Sequence, residues 1–167
     1  MKKKVTLIIH AAVIAALYVV LTLAANSLGL ANFPVQVRFS EALTILPLFT
    51  PAAIPGLFIG CILSNFLTGC LILDVIFGSL ATLLGTLGTY AVRGLSLRSK
   101  HGKWAATLPP ILANTLIVPF VLAYVYRFEG SLPYFFLTVA LGEIISCGAL
   151  GILLYNTLDK YRKYLFV

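Results

Sequence analysis

The sequence predicts an all-α integral membrane protein, one domain over residues 1–167, with six transmembrane helices and both termini in the cytoplasm. Three observations predict it. Sixty per cent of the residues are hydrophobic and the mean hydropathy is +1.04, while only 10% are charged. Soluble domains carry roughly a quarter charged residues. Apolar runs recur along the chain at about the 20-residue length that crosses a bilayer. The basic residues sit between or beside those runs, as cytoplasmic loops do under the positive-inside rule.

The first helix is expected over residues 6–25, after Lys2, Lys3 and Lys4. A basic start before an apolar run also opens signal peptides, but no cleavage site followed by a polar mature domain is present. A loop over 26–37 follows, broken by Gly29 and Pro34. The second apolar stretch, 39–49, is short and interrupted by Pro47, so its surroundings are expected to be irregular backbone buried in protein. The third helix is expected over 53–67, the fourth over 74–92, the fifth over 104–126 and the sixth over 133–158. The second basic cluster, Arg93, Arg98, Lys100 and Lys103, falls between helices four and five. The third, Lys160, Arg162 and Lys163, follows helix six. Both then lie in the cytoplasm with the N-terminus, and the connections 26–37, 68–73 and 127–132 face outside with few positive charges.

The net charge of +7 does not indicate nucleic acid, because ten of the twelve Lys and Arg belong to these membrane-flanking clusters. Cys61, Cys70 and Cys147 form no CxxC and no metal spacing, and are expected to act as small apolar residues. No metal or cofactor is implied. The chain carries no HExxH, no GxSxG and no phosphate-binding GKS/GKT loop, and it is not expected to be an enzyme.

Polar groups inside a membrane are costly and each requires a reason. Arg38 and Glu41 stand at the outer end of helix two, Asn65 near the outer end of helix three, and Asp74 at the start of helix four. Asn114 lies near mid-membrane in helix five, and Glu143 lies deep in helix six. Together they describe a polar pocket open to the outside for a small polar ligand. Simpler readings exist for each: an N-cap for Asp74, a local ion pair for Arg38 and Glu41, and interhelical hydrogen bonds for Asn65 and Asn114. The aromatic residues Tyr124, Tyr126, Phe128, Tyr134, Phe135 and Phe136 form either an interfacial belt or a stacking surface for a planar ligand. On helix one, Ala11/Ala15 and Ala12/Ala16 make a strip of small residues where another helix can approach closely.

Six helices in under 200 residues, the AxxxA strip and the outward pocket resemble the substrate-binding S component of an energy-coupling factor (ECF) transporter. More specifically, residues 35–60, VQVRFSEALTILPLFTPAAIPGLFIG, and 73–90, LDVIFGSLATLLGTLGTY, resemble the QueT family of queuosine-precursor transporters. That resemblance implies a multi-pass protein of the prokaryotic plasma membrane. It implies high-affinity capture of a 7-deazaguanine base, such as the 7-aminomethyl or 7-cyano form, or queuine. It also implies partners, a transmembrane coupling protein and two cytoplasmic ATPases, with the Ala strip as the docking face. Within such a pocket, Glu143 is the first choice to accept from the N–H and amino group of a guanine-like edge. Asn114 would read the carbonyl, and Asp74 or Glu41 would face a cationic aminomethyl group. Arg38 would balance the carboxylates and, with Glu41, order the outer loop as a lid. The competing classes are an S component for another vitamin and a proton-coupled secondary transporter using Glu143 or Asp74.

Overall fold

The computed structural model describes residues 2–30, 36–96 and 102–165, and these are all-helical, with no strand among them. Helix α1 (Lys2–Ser27) leads into a 3-10 helix (Phe39–Leu48). Helices α2 (Ala53–Leu67) and α3 (Ile72–Ala91) follow, then the short α4 (Arg93–Ser96). Helix α5 (Gly102–Phe120) runs on as a π-helical turn (Val121–Val125). Helix α6 (Leu132–Glu143) continues through a second π-helical stretch (Ile144–Leu150) into α7 (Gly151–Leu165). Residues 31–35 and most of the second basic cluster's loop lie outside the described residues.

Among the described residues four helices are long and apolar enough to cross a membrane: Lys4–Ser27, Ile72–Ala91, Gly102–Val125 and Leu132–Arg162. Phe39–Leu48 and Ala53–Leu67 are apolar but shorter. At 1.5 Å per residue α2 reaches about 22 Å, short of the roughly 30 Å hydrocarbon core.

The 3-10 helix is the buried centre of the bundle. Ser40 to Leu48 are all buried, and the segment packs against α1, α3, α7 and the second π stretch. Pro47 removes one backbone donor that an α-helix would use. Ten residues is long for this geometry, and its rise of about 2.0 Å per residue carries the segment some 20 Å into the bundle. The expected buried, irregular stretch at helix two is this element.

Close helix contacts depend on small residues. A Cβ on Gly56 would lie 2.7 Å from the Ala11 carbonyl oxygen, and one on Gly60 would lie 2.8 Å from Tyr18 Cβ and 3.0 Å from the Ala15 carbonyl oxygen. Helix α2 therefore presses its glycines on the Ala11/Ala15 pair of α1. The main core, which includes Ile14, Tyr18, Leu43, Ile45, Leu48 and Leu57, surrounds this contact and the 3-10 helix. A second cluster, Val118, Leu122, Phe135 and Val139, supports the far side of the bundle where α5 meets α6.

Candidate binding site

The C-terminal ends of α1 and α2, the N-terminal end of α3 and the π turn after α5 converge at one end of the bundle. There they enclose a polar cavity of about 270 Å³. That is near the lower end of the range of small-molecule sites, about 300 Å³. Its lining includes Gln36, Arg38, Asn65, Asp74, Tyr126 and Phe128. This is the end that carries the weakly charged connections, the outer end expected from the sequence.

Asp74 lies in the first turn of α3, but Leu71 is the N-cap residue and its side chain makes no capping bond. The simple capping role is thus absent. The Tyr126 hydroxyl donates to Asp74 Oδ2 at 2.8 Å and accepts the Leu71 N–H at 3.3 Å. Burial, and then the bond to the Asp74 carboxylate, push the Tyr126 hydroxyl above the ordinary phenol value, so it remains a donor at neutral pH. Arg127 takes a left-handed φ of 53°, and the rings on either side of it, Tyr126 and Phe128, stack at 5.4 Å and 18°. Among the described residues Arg38 makes no ion pair with Glu41. Its Nη2 donates to Gln36 Oε1 at 3.3 Å, its backbone N–H donates to Ser146 Oγ at 3.1 Å, and it lines the same cavity as Asp74.

Glu41, Asn114 and Glu143 do not line this cavity. They form a second group beneath it, all buried. Tyr18 donates its hydroxyl to Glu41 Oε1, and Thr44 donates to the Glu41 carbonyl at 2.6 Å. The Cys147 thiol donates to Glu143 Oε2 at 3.1 Å. Asn114 lies beside both carboxyl groups. Among the described residues Glu41 Oε2 and Asn114 Nδ2 are buried without a well-formed hydrogen bond, and as acceptor and donor on neighbouring side chains they can satisfy each other. The expected single pocket is therefore two levels, with Arg38, Asn65 and Asp74 above and Glu41, Asn114 and Glu143 below. The two levels are joined: the Thr22 hydroxyl, on the cavity wall, bonds the Tyr18 carbonyl at 2.9 Å and lies 2.8 Å from Ser40 Oγ.

Glu41, Glu143 and Cys147 bring three potential metal donors within 4.8 Å of one another. Their bonds to Tyr18 and to each other already engage them, so they read as a hydrogen-bonded cluster. The cysteines are not plain apolar filler. Cys61 accepts from Thr82 at 3.4 Å and from Asn65 at 3.6 Å, and Cys147 is part of the lower cluster.

Several participants escaped the sequence reading. Tyr18 carried a signal, since a tyrosine in mid-span needs a partner for its hydroxyl. Thr22, Asn26 and Gln36 carried none beyond polarity. Both π stretches border the site, one leading to Tyr126 and one following Glu143. Such stretches recur at functional sites, yet no residue pattern announces them. The aromatic group splits: Tyr126 and Phe128 face the cavity, Tyr124 is 69% exposed, and Phe135 is buried in the core.

Outside the site, a groove of about 950 Å³ on the face formed by α1 and α2 is almost wholly apolar. It contains Ala11, Ala12, Ala15 and Ala16. Ala15 is buried against α2, whereas Ala12 and Ala16 are exposed.

The model of the QueT transporter family matches residues 8–160. A stretch of 85 residues is 41% identical to the Queuosine precursor transporter QueT of Lactococcus lactis subsp. cremoris (strain MG1363). It spans half of this chain and half the length of that protein. No solved structure matches. With a family match over nearly its whole length and an all-helical fold holding four membrane-length helices, the chain belongs to the QueT transporter family.

Proposed function

We propose that this chain is the membrane-embedded S component of an ECF-type importer, and that it captures a queuosine precursor outside the cell. The observation that carries this reading is the polar cavity at the weakly charged end of the bundle, walled by stacked Tyr126 and Phe128 and bearing Arg38, Asn65 and Asp74. A flat base fits against an aromatic wall, and its polar edges need convergent donors and acceptors. The name of the Lactococcus relative supports the substrate class. In this reading the 3-10 helix and α2 complete a six-segment bundle in the prokaryotic plasma membrane, with both termini in the cytoplasm. The exposed pair Ala12 and Ala16 faces the coupling protein, while Ala11 and Ala15 hold α2. Two cytoplasmic ATPases drive release of the base inside.

A second reading, a proton-coupled carrier, draws on the juxtaposed Glu41 and Glu143, since buried carboxyl pairs can take up a proton. Vesicles reconstituted with this chain alone, or with the coupling protein and ATPases, separate the two. The S-component reading predicts uptake of 7-aminomethyl-7-deazaguanine only with all subunits and ATP. Uptake by the chain alone, driven by a proton gradient, would replace it with the second reading.

A further inference from the structure

Arg38 and Asp74 carry opposite charges, line one cavity of about 270 Å³, and do not pair. Among the described residues no ion pair joins them. A guanidinium and a carboxylate sharing a small site ordinarily meet as a two-bond fork. Here each is held back by a neutral neighbour. Arg38 Nη2 donates to Gln36 Oε1 at 3.3 Å, and Asp74 Oδ2 accepts from the Tyr126 hydroxyl at 2.8 Å. The backbone on both sides is fixed as well. The Arg38 N–H donates to Ser146 Oγ at 3.1 Å, and Gly142 lets α6 press on the Gln36 carbonyl, where a Cβ would collide. The Tyr126 hydroxyl also accepts the Leu71 N–H at 3.3 Å, which ties it to the start of α3.

These clamps leave free groups at the cavity. Gln36 takes one N–H of the Arg38 guanidinium, and the rest of its donors are open. Asp74 Oδ1 accepts no hydrogen bond among the described residues. Asn65 lies near Oδ1 across Gly78, but its amide donates to Cys61 Sγ at 3.6 Å. Arg38 and Asp74 both line the cavity, so a ligand edge reaches them directly. A donor and an acceptor held apart are the complement of an edge that carries an acceptor beside a donor. On a 7-deazaguanine the ring carbonyl and the 7-substituent are neighbours, and a 7-aminomethyl arm makes that edge an acceptor beside a donor. Guanine offers two acceptors there, the carbonyl and N7. Its N7 would face the Asp74 carboxylate unpaired.

We propose that Arg38 and Asp74 are a divided charge pair that reads the carbonyl and the 7-position of the bound base, and so rejects guanine. Arg38 donates to the carbonyl, and Asp74 Oδ1 accepts from the 7-aminomethyl group. Tyr126 is a positioning residue that keeps the carboxylate from closing on Arg38. This rests on the base-binding reading above and assigns its specificity.

The test titrates the purified full chain in detergent with 7-aminomethyl-7-deazaguanine, 7-deazaguanine, guanine, and the analogue of 7-deazaguanine that lacks the carbonyl. Guanine and 7-deazaguanine differ only in N7 against C–H. The wild type is expected to favour 7-deazaguanine over guanine by ~10–100-fold, the range for leaving a buried acceptor unpaired. In Asp74→Asn the Tyr126 hydroxyl keeps the amide oxygen and the N–H₂ faces N7, so the order reverses and guanine binds better. Loss of the carbonyl weakens binding to the wild type by ~10–100-fold, the range for a hydrogen bond to a charged group, and Arg38→Met abolishes that difference. Tyr126→Phe releases the carboxylate and narrows the gap between 7-deazaguanine and guanine. A purely structural role for these residues would weaken all four probes equally, and that result overturns the assignment. So does a wild type that binds guanine and 7-deazaguanine alike, or an order unchanged in Asp74→Asn. Tight binding of 7-aminomethyl-7-deazaguanine in those cases leaves the base-binding reading standing. A folded wild type that binds none of the four overturns both.

Discussion

The Tyr126 hydroxyl and Asp74 Oδ2 stand 2.8 Å apart across the cavity, so that a residue beyond α5 is tied to the first turn of α3. Asp74 is thereby held at the cavity wall as an oriented acceptor. If the ligand carries an aminomethyl cation, this carboxylate is its counter-charge. Asp74→Asn is expected to weaken binding of the 7-aminomethyl base by about 1.5–3 kcal/mol, the scale of a charge-assisted bond. The uncharged 7-cyano base should change little. Equal losses for the two, in parallel titrations, would remove Asp74 from that role.

Gly56 separates packing from docking on α1. A methyl group there meets the Ala11 backbone carbonyl, which cannot rotate away as a side chain end would. Gly56→Ala should destabilise the protein by about 1–3 kcal/mol, as overpacking does. Thermal unfolding in detergent checks this. A midpoint equal to that of wild type would mean that α1 and α2 are not so closely pressed.

Ala12 is exposed on the same helix. Ala12→Leu with Ala16→Leu should leave the unfolding midpoint and ligand affinity unchanged but abolish ATP-dependent uptake in the reconstituted system. Unimpaired uptake would exclude this face as the docking surface.

Cys70 is partly exposed and lines the cavity, whereas Cys61 and Cys147 are buried. A membrane-impermeant maleimide added to intact cells should label Cys70 alone, and bound base should slow that labelling. Labelling that needs permeabilised cells would reverse the proposed orientation.

The extent to which the sequence disclosed this architecture follows from the physics of each element. The 53–67 helix was legible to the residue, because Pro51 and Gly69 bracket a run that is apolar apart from Ser64 and Asn65, and Pro55 falls in its first turn, where proline is tolerated. The 3-10 helix was legible only as something short and irregular. Pro47 marks the disturbance, but the tighter winding follows from packing inside the bundle. The polar residues were legible because hydrocarbon makes each one conspicuous. Their division into two levels was not. Arg38 and Glu41 look like a pair at a spacing of three, yet Glu41 turns inward to Tyr18 while Arg38 stays at the cavity with Gln36. That choice rests on a partner 23 positions away, which spacing along one helix cannot reveal. Likewise both alanine pairs look equivalent in sequence, and only the approach of Gly56 and Gly60 tells them apart.

The central claim is that this chain by itself is a high-affinity receptor for a 7-deazaguanine base. The most direct measurement is an equilibrium titration of the purified chain, without any ATPase, against 7-aminomethyl-7-deazaguanine, 7-cyano-7-deazaguanine, queuine, guanine, riboflavin and thiamin. The account predicts tight binding of at least one deazaguanine and none of riboflavin or thiamin. Tight binding of a vitamin instead, or no binding by protein shown to be folded, would contradict it.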